Sequence, residues 1–560
     1  MIALPRRGDR RPVPLPDPWT VVALALAAAV ALPVLVVASH VFVPTEGVWS
    51  HLASTVLATY VVNTLWLAFG VGLGAVAIGV GAAWLVTMCR FPGRGLFEWA
   101  MILPLAVPAY VMAYAYTDLL QFAGPVQTTL REVTGWGPRD YWFPPIRSLG
   151  GAIAMLTLVL YPYVYLLARA ALLEQSGCAL EIARTLGYGP LGCLRHVLLP
   201  LVRPAVVAGL ALVLMETLAD FGTVSYFAVP TFTTGIYRAW FSLGSHAAAA
   251  QLSTLLLGFV LLAVLLERRS RGRARYHHTS DRLRPIGRYE LRGARAGLAV
   301  IACALPLTLG FLLPGAVLLH MALVAGDAQF GPRFVRLAFN SLTLAAVTAM
   351  LAVLLALALG YAARLRPTRL VRTANRIAAG GYAVPGAVIA VGTLIPFAAF
   401  DNALDAWMRT TFGVSTGLLL TGSIAGLVFA YLVRFLAVSL HTVEAGLTKI
   451  GPHLDDVARC LGSRPGGVLL RVHAPLMWSS LFTAGLLVFV DVMKELPATL
   501  ILRPFNFDTL AVQAHNLAAD ERLTEASTAA LMIVAAGLLP VILLCRTISR
   551  ARPERDVPPL

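Results

Sequence analysis

Long apolar runs alternate with short polar segments along the whole of this 560-residue chain. A membrane-spanning helix needs about 20 consecutive, mostly apolar residues. Twelve runs of that kind can be counted, so the pattern predicts an all-α polytopic membrane protein with twelve transmembrane helices. The predicted spans are 19–43, 58–88, 98–123, 150–173, 198–225, 249–267, 296–324, 338–364, 376–400, 414–440, 476–500 and 526–546.

The composition agrees with this pattern. Hydrophobic residues make up 58% of the chain and charged residues 13%, whereas soluble domains are about 45–50% apolar and about 25% charged. The six cysteines form no CxxC or Cys/His ligand pattern, so we interpret them as small buried residues without a disulfide or metal role. No cofactor and no stable metal site are expected.

The arginines indicate the orientation, because short cytoplasmic loops are enriched in Lys and Arg. The net charge is +16, and basic residues crowd both ends of the chain and the loops after spans 2 and 8. These segments share one side if the N- and C-termini are cytoplasmic, which predicts a multi-pass membrane protein with both termini in the cytoplasm. Arg131, Arg139 and Arg147 fall on the opposite side and are exceptions.

An arginine-rich segment at 268–295 joins the two halves and contains ten arginines. It could be an arm that binds lipid or nucleic acid. A basic linker retained on the cytoplasmic side explains the same residues with fewer assumptions. We therefore expect membrane lipid, and no nucleic acid, among the partners.

The two halves of the chain repeat one another, with an offset that changes only from 277 to 275 residues. Such internal periodicity indicates a duplicated structural unit. The repeat predicts a first six-span unit at 1–267, the basic linker at 268–295 and a second six-span unit at 296–560. The matched positions are Asn63 with Asn340, Pro108 with Pro385, Glu216 with Asp491, Asp220 with Glu495, and Thr234 with Thr509.

Six spans return the chain to the side on which it started, so both repeats share one orientation. We expect them to be related by a pseudo-two-fold axis along the membrane normal, as in other parallel-repeat transporters. A loop that is repeated then occurs twice on the same face of the membrane. That arrangement suits a partner which is itself two-fold symmetric.

One polar segment is repeated without a gap. Residues 181–200 read EIARTLGYGPLGCLRHVLLP, and 456–475 read DVARCLGSRPGGVLLRVHAP. Each copy predicts a short helix that ends at a glycine, Gly187 or Gly462, where the backbone needs a positive φ. A proline and a second amphipathic stretch follow. We interpret the pair as two docking segments on the cytoplasmic side, although a single copy would be compatible with an ordinary connector.

These segments resemble the cytoplasmic loops of permease subunits of ATP-binding-cassette importers, which begin with Glu-Ala-Ala and carry a later glycine and Leu-Pro. The second copy has Asp for Glu and has Ala474 before its proline. The resemblance implies that each loop holds the coupling helix that sits in a groove of the ATPase subunit. The residues to which this role is carried are Glu181, Ala183, Gly187, Asp456, Ala458 and Gly462.

The segments 219–241 and 491–513 resemble fused ferric-iron permeases. The resemblance implies import of ferric iron delivered by a periplasmic binding protein and powered by two copies of a cytoplasmic ATPase. Permeases for thiamine, aminophosphonates or other small solutes share the layout and stay open as alternatives. The chain has no GxxxxGK[ST] motif, so it is expected not to be an enzyme, with no catalytic residues of its own.

Four acidic residues lie near the ends of two matched spans. Glu216 and Asp220 are four residues apart and share a helix face, as do Asp491 and Glu495. Ionisable residues near a span are functional candidates, and ferric iron prefers oxygen ligands. They could line the translocation path or contact the binding protein. They could equally be helix-end residues that are solvated, or paired with a neighbour such as Lys494.

Two other classes fit the sequence less well. An ion-coupled secondary transporter needs coupling carboxylates at mid-membrane on broken helices, whereas these acidic residues lie near span ends. A structural membrane scaffold would not need two matched docking loops.

Overall fold

The computed structural model describes residues 17–45, 47–174, 185, 187–271, 288–324 and 331–550. Within them nearly all regular structure is helical, which confirms the prediction of an all-α polytopic membrane protein. The helices of the first half are α1 (Pro18–Ser39), α2 (Val48–Thr55), α3 (Leu57–Met88), α4 (Arg94–Ala100), α5 (Ala109–Leu120), α6 (Pro125–Thr134), α7 (Leu149–Glu174), α8 (Pro190–Cys193), α9 (Leu199–Ala219), α10 (Gly222–Tyr226), α11 (Phe232–Tyr237) and α12 (His246–Arg271).

The second half repeats this succession of long and short helices. Two short strands, β1 (Cys89–Arg90) and β2 (Tyr289–Glu290), pair in parallel and tie the end of the linker to the loop after α3. The helices are α13 (Ala294–Leu307), α14 (Leu313–Val324), α15 (Pro332–Leu365), α16 (Arg369–Gly380), α17 (Gly386–Phe412), α18 (Ile424–Thr448), α19 (His453–Cys460), α20 (Pro465–Val468), α21 (Ala474–Leu476), α22 (Trp478–Met493), α23 (Pro497–Leu502), α24 (Leu510–Ala519) and α25 (Leu523–Arg550).

The described residues contain ten helices that are long and apolar enough to cross a membrane. Two further pairs pass the same test together but are bent: Arg94–Ala106 with Ala109–Thr134 by 92°, and Pro465–Leu476 with Trp478–Met493 by 82°. The predicted count of twelve is reached if each bent pair is one span. The first bend falls where Pro108 precedes α5, since proline cannot continue the hydrogen-bonding of the helix before it.

The predicted spans 376–400 and 414–440 begin about ten residues too early. Thr368 caps α16, an amphipathic helix whose arginines are exposed, and the spanning helix α17 starts only after Pro385. The apolar residues after α17 form a loop that is held by Asp401, which accepts hydrogen bonds from Thr421 N at 2.8 Å and Leu420 N at 3.0 Å. Hydropathy alone could not separate this loop from the next span.

Each half is built on the same three-helix core. In the first half α3, α7 and α9 pack on one another, and in the second half α15, α18 and α22 do so. Equivalent hydrogen bonds hold the two cores: Asn63 Nδ2 donates to the carbonyl of Pro230 at 2.9 Å, and Asn340 Nδ2 donates to that of Asp508 at 3.1 Å. The predicted match of Asn63 with Asn340 thus corresponds to a shared structural role.

The predicted match of Thr234 with Thr509 is wrong. Thr509 is the N-cap of α24, and its side chain accepts a hydrogen bond from the backbone N–H of Val512. The N-cap of the corresponding helix α11 is Thr231. The second half has three more residues than the first between the acidic pair and this cap, so the offset widens to 278.

The first helix of each half packs against the other half. α1 lies on α16 and α17, and the Trp19 ring meets that of Tyr361 edge-on at 5.2 Å between centroids. In return α13 packs on α3 and α14 on α5. Near the junction of these two helices, a Cβ added to Gly310 would lie 2.9 Å from the carbonyl oxygen of Leu158. The boundaries 1–267, 268–295 and 296–560 therefore stay a prediction about the sequence repeat, because the packing crosses them.

Candidate functional site

All four predicted carboxylates line one cavity of about 110 Å³ between the two halves. Glu216 and Asp220 reach it from the end of α9, and Asp491 and Glu495 from the end of α22. Asp220 and Glu495 lie just beyond the last helical residues, Ala219 and Met493, so the predicted sharing of one helix face is wrong, although both pairs still reach the cavity. The cavity is therefore the place where the two repeats bring their matched acidic residues together.

The carboxylates of Asp220 and Glu495 accept equivalent hydrogen bonds. Asp220 Oδ2 accepts a hydrogen bond from Val224 N at 3.1 Å, and Glu495 Oε1 accepts one from Ala498 N at 3.1 Å. Each carboxylate thus satisfies an otherwise unpaired N–H at the start of the short helix that follows it. Glu495 is buried, with 5% of its surface exposed. Both residues lie at helix ends, where Glu495 is buried and Asp220 is half-buried.

Glu216 and Asp491 are held by side chains. Glu216 Oε1 accepts a hydrogen bond from the Tyr382 hydroxyl at 3.0 Å. Asp491 Oδ1 lies 2.9 Å from Lys494 Nζ. The prediction that Lys494 pairs with one of the acidic residues is confirmed, and its partner is Asp491.

Arg434 of α18 also lines the cavity and was missed in the sequence. Its Nη1 lies 3.3 Å from Glu495 Oε1 and its Nη2 lies 3.7 Å from Glu216 Oε2. An arginine inside an apolar helix is costly in a membrane unless it is paired. That cost was the signal available in the sequence, since Arg434 stands within the predicted span 414–440.

The cavity has a net negative charge, because four carboxylates face two cations, Arg434 and Lys494. Every carboxylate already has a hydrogen-bond or ion-pair partner. Among the described residues, no three His, Cys, Asp or Glu side chains come together as metal ligands would. The arrangement can attract a cation electrostatically, and it is not a preformed chelating site.

The glycines of the repeated loops have the predicted backbone conformation. Gly187 has φ +80° and Gly462 has φ +78°, both in the left-handed region that favours glycine. In the second loop Gly462 N donates to Arg459 O at 2.9 Å and Ser463 N donates to Ala458 O at 3.0 Å. This is a Schellman ending of α19. Both glycines are exposed, so the turns face the surrounding medium.

The other coupling residues are placed only in part. Asp456 is exposed on α19, and Ala458 is buried beneath the same helix. Glu181 and Ala183 lie outside the described residues. After each loop the chain forms a π-helical turn, Leu194–Leu198 in the first half and Leu469–His473 in the second, at the predicted offset of 275.

A buried polar network lies under the second loop. Asp455 accepts a hydrogen bond from Arg364 Nε at 2.7 Å and contacts His473 Nε2. Arg364 also donates to the carbonyls of Leu447 at 2.7 Å and Ile450 at 2.9 Å. The network fastens α19 to α15 and to the π-helical turn. In the first half, leucines occupy the positions of Asp455 and His473.

Replacing Asp455 with Asn is expected to destabilise the protein, because Arg364 and His473 then keep their buried positions without an anion. Breaking a buried ion pair typically costs about 3–5 kcal/mol. Asp456→Asn is the matched control, since its carboxylate is exposed and exposed pairs contribute about 0–1 kcal/mol. Thermal unfolding of the detergent-purified protein measures both. Equal unfolding temperatures for the two variants would contradict the network's role.

The stabilising effect of Asp455 is also expected to depend on pH. Burial raises the pKa of Asp455, but hydrogen bonds from Arg364 and His473 outweigh it, so the pKa lies below its ordinary value of 3.8. Its stabilising effect is therefore complete above pH 3.8 and is lost as the pH falls toward the lower pKa of the folded state. The gap in unfolding temperature between wild type and Asp455→Asn should close only in acid. A gap that closes between pH 6 and 8 would contradict this.

Comparison with known proteins agrees with a transport role. Residues 75–272 match the family described as binding-protein-dependent transport system inner membrane component. An Fe(3+)-transport system permease protein of Haemophilus influenzae is 28% identical, over 87% of this chain and 90% of that protein. A probable ABC transporter permease of Sinorhizobium fredii is 24% identical, over 88% and 87% of the two chains. A putative 2-aminoethylphosphonate transport system permease of Salmonella choleraesuis is 30% identical, over 29% and 57%.

The helical fold is that of a multi-pass membrane protein. Residues 75–272 match the domain of the binding-protein-dependent transport permeases, and the similarity to the Haemophilus influenzae permease extends over both halves. The predicted resemblance to importer permeases is thus confirmed.

Proposed function

We propose that the protein is the permease subunit of an ATP-binding-cassette importer that carries ferric iron across the inner membrane. The observation that carries the proposal is the similarity to an Fe(3+)-transport permease over 87% of the chain. The carboxylate-lined cavity supports it chemically, because a hard trivalent cation prefers oxygen-rich, negatively charged surroundings. The chain supplies no ATPase motif, so two copies of a separate ATPase subunit would provide the energy.

The proposed partners follow from the repeated surfaces. An extracytoplasmic binding protein delivers iron to one face, and the two ATPase subunits dock on the other at 181–200 and 456–475. This assigns the loops and both termini to the cytoplasm, in line with the arginine-rich loops. Each copy carries an exposed left-handed turn, at Gly187 or Gly462.

In the proposed cycle, ATP binding draws the ATPase subunits together, and the docked loops carry the two halves with them. The cavity lies between the halves, so their relative movement opens it to one face at a time, as in rigid-body alternating access. The carboxylates lower the energy of a cation in this otherwise apolar region. No residue of this chain needs to perform a chemical step.

Uptake in cells tests the substrate. Iron-starved cells that carry the protein as their sole ferric importer should take up radiolabelled ferric iron, and a deletion strain should not. The similarity to a 2-aminoethylphosphonate permease favours that solute as the second candidate. Uptake of a labelled aminophosphonate, with iron uptake unchanged by the deletion, would replace the iron proposal by this one.

A further inference from the structure

The carboxylates of the cavity occur in matched pairs, but its cations do not. Where the second half places Arg434, the first half has Val159 at the offset of 275, and where it places Lys494, the first half has Ala219. All four residues line the cavity. Both positive charges therefore come from the second half, within a cavity whose negative charges come equally from both.

Arg434 forms ion pairs with both halves, whereas Lys494 pairs within its own half. Lys494 pairs with Asp491 of its own half. The guanidinium of Arg434 lies between Glu495 of its own half and Glu216 of the other, at 3.3 and 3.7 Å. Its side chain is 9% exposed, and its Nε has no hydrogen-bond partner among the described residues. One buried charge thus links the two halves.

Gly386 leaves the space in which Arg434 contacts Glu495. A Cβ added to Gly386 would lie 2.6 Å from Arg434 Nη1 and 2.6 Å from Glu495 Oε1. The first-half residue at the offset of 277 is Ala109, which has that Cβ, and the first half has Val159 in place of the arginine. The second half therefore differs from the first at two positions in contact: it has the added charge at Arg434, and it has a glycine at 386 that leaves space for that charge.

We propose that Arg434 is the resident counter-cation of the cavity, which latches Glu216 to Glu495 across the halves until a cargo cation of higher charge replaces it. Buried carboxylates need a positive partner. The distances of 3.3 and 3.7 Å exceed the usual 2.7–2.9 Å of a strong charge-assisted hydrogen bond, so neither pairing is as short as such a bond. Its exchange for cargo rests on the proposed cation transport, whereas the latch between the halves does not.

The latch has a consequence for the transport cycle. Movement of one half against the other must stretch the pairing of Arg434 with Glu216, so the empty permease is biased toward the conformation seen here. A trivalent cation satisfies both carboxylates better than a monovalent guanidinium, whereas ions of lower charge gain less from the exchange. Arg434 would thus act as a positioning residue that also favours highly charged cargo.

The test is the ATPase rate of the purified permease–ATPase complex in proteoliposomes, measured without binding protein or iron. Arg434→Gln should raise this basal rate about fivefold or more, the lower end of typical coupling between two states. Gly386→Ala should raise it as well, because the added Cβ separates Arg434 from Glu495 while keeping both charges. Arg434→Lys should stay nearer to wild type. A merely structural role would lower yield and activity together and could not raise the basal rate.

Arg409→Gln is the matched control, because it removes one positive charge from a pair within the second half, with Asp405, that lies outside the cavity. Its basal rate should stay close to that of wild type. An unchanged or lower basal rate in both Arg434→Gln and Gly386→Ala would overturn the latch, as would an equal rise in Arg409→Gln. The iron proposal is tested separately by iron uptake: it fails if the wild-type complex takes up no iron, whatever the basal ATPase rates of the variants.

Discussion

A variant that carries both Gly187→Val and Gly462→Val is expected to lose nearly all ATP-driven uptake while still reaching the membrane. Both glycines have φ near +80°, and a β-branched residue in that conformation is strained by about 1–3 kcal/mol. Relief of the strain would turn the coupling segments away from the surface that meets the ATPase. With both loops altered, uptake should fall by roughly tenfold or more, since about 1.4 kcal/mol corresponds to tenfold.

The control variant carries Gly189→Val and Gly466→Val. These glycines lie in the same two loops, have open space around them and lack a positive φ. Valine adds the same bulk there without straining the backbone. Uptake and co-purification of the ATPase subunit should stay near wild type. If the two double variants lose uptake equally, the left-handed turns have no special role in docking.

Neutralising the matched carboxylates with Glu216→Gln and Asp491→Asn should strongly reduce ferric-iron uptake. The change removes two of the four negative charges that line the cavity while Arg434 and Lys494 keep theirs, so the electrostatic attraction for a cation disappears. Charged clefts typically raise the local supply of an oppositely charged ligand by roughly 10–1,000-fold, and the uptake rate should fall by an amount in that range.

Exposed carboxylates outside the cavity provide the control for this prediction. Glu132→Gln with Asp520→Asn makes the same change of charge at exposed positions and should leave uptake near wild type. The affinity of the complex for the iron-loaded binding protein separates the two proposed roles. Unchanged affinity in the Glu216/Asp491 variant supports a path through the cavity, whereas lost affinity would mean that these residues contact the binding protein instead.

Much of this architecture could be predicted because each repeated feature occurs in both halves of the sequence. The repeat matched Glu216 with Asp491 and Asp220 with Glu495, and the structure brings all four to one cavity, although Asp220 and Glu495 lie just beyond the helices. The glycine after each short helix predicted the positive φ at Gly187 and Gly462. The glycine rule is a local rule of helix termination, so one sequence is enough to apply it.

What the sequence concealed depends on long-range packing. No hydropathy pattern shows that α1 packs against the second half. The loop before α18 contains three consecutive leucines that extend the apolar run of the next span, and its hydrogen bonds to Asp401 hold it outside the helix. The repeat draws attention to the matched carboxylates, whereas Arg434 has no counterpart in the first half and is therefore not revealed by the repeat.

ATP-driven import of ferric iron is tested most directly by uptake of radiolabelled ferric iron into proteoliposomes that contain the permease with its ATPase subunit, supplied with iron-loaded binding protein. We predict iron accumulation that requires ATP and falls with the Glu216→Gln, Asp491→Asn variant. Accumulation without ATP, or none at all when a labelled aminophosphonate is taken up by the same vesicles, would contradict it.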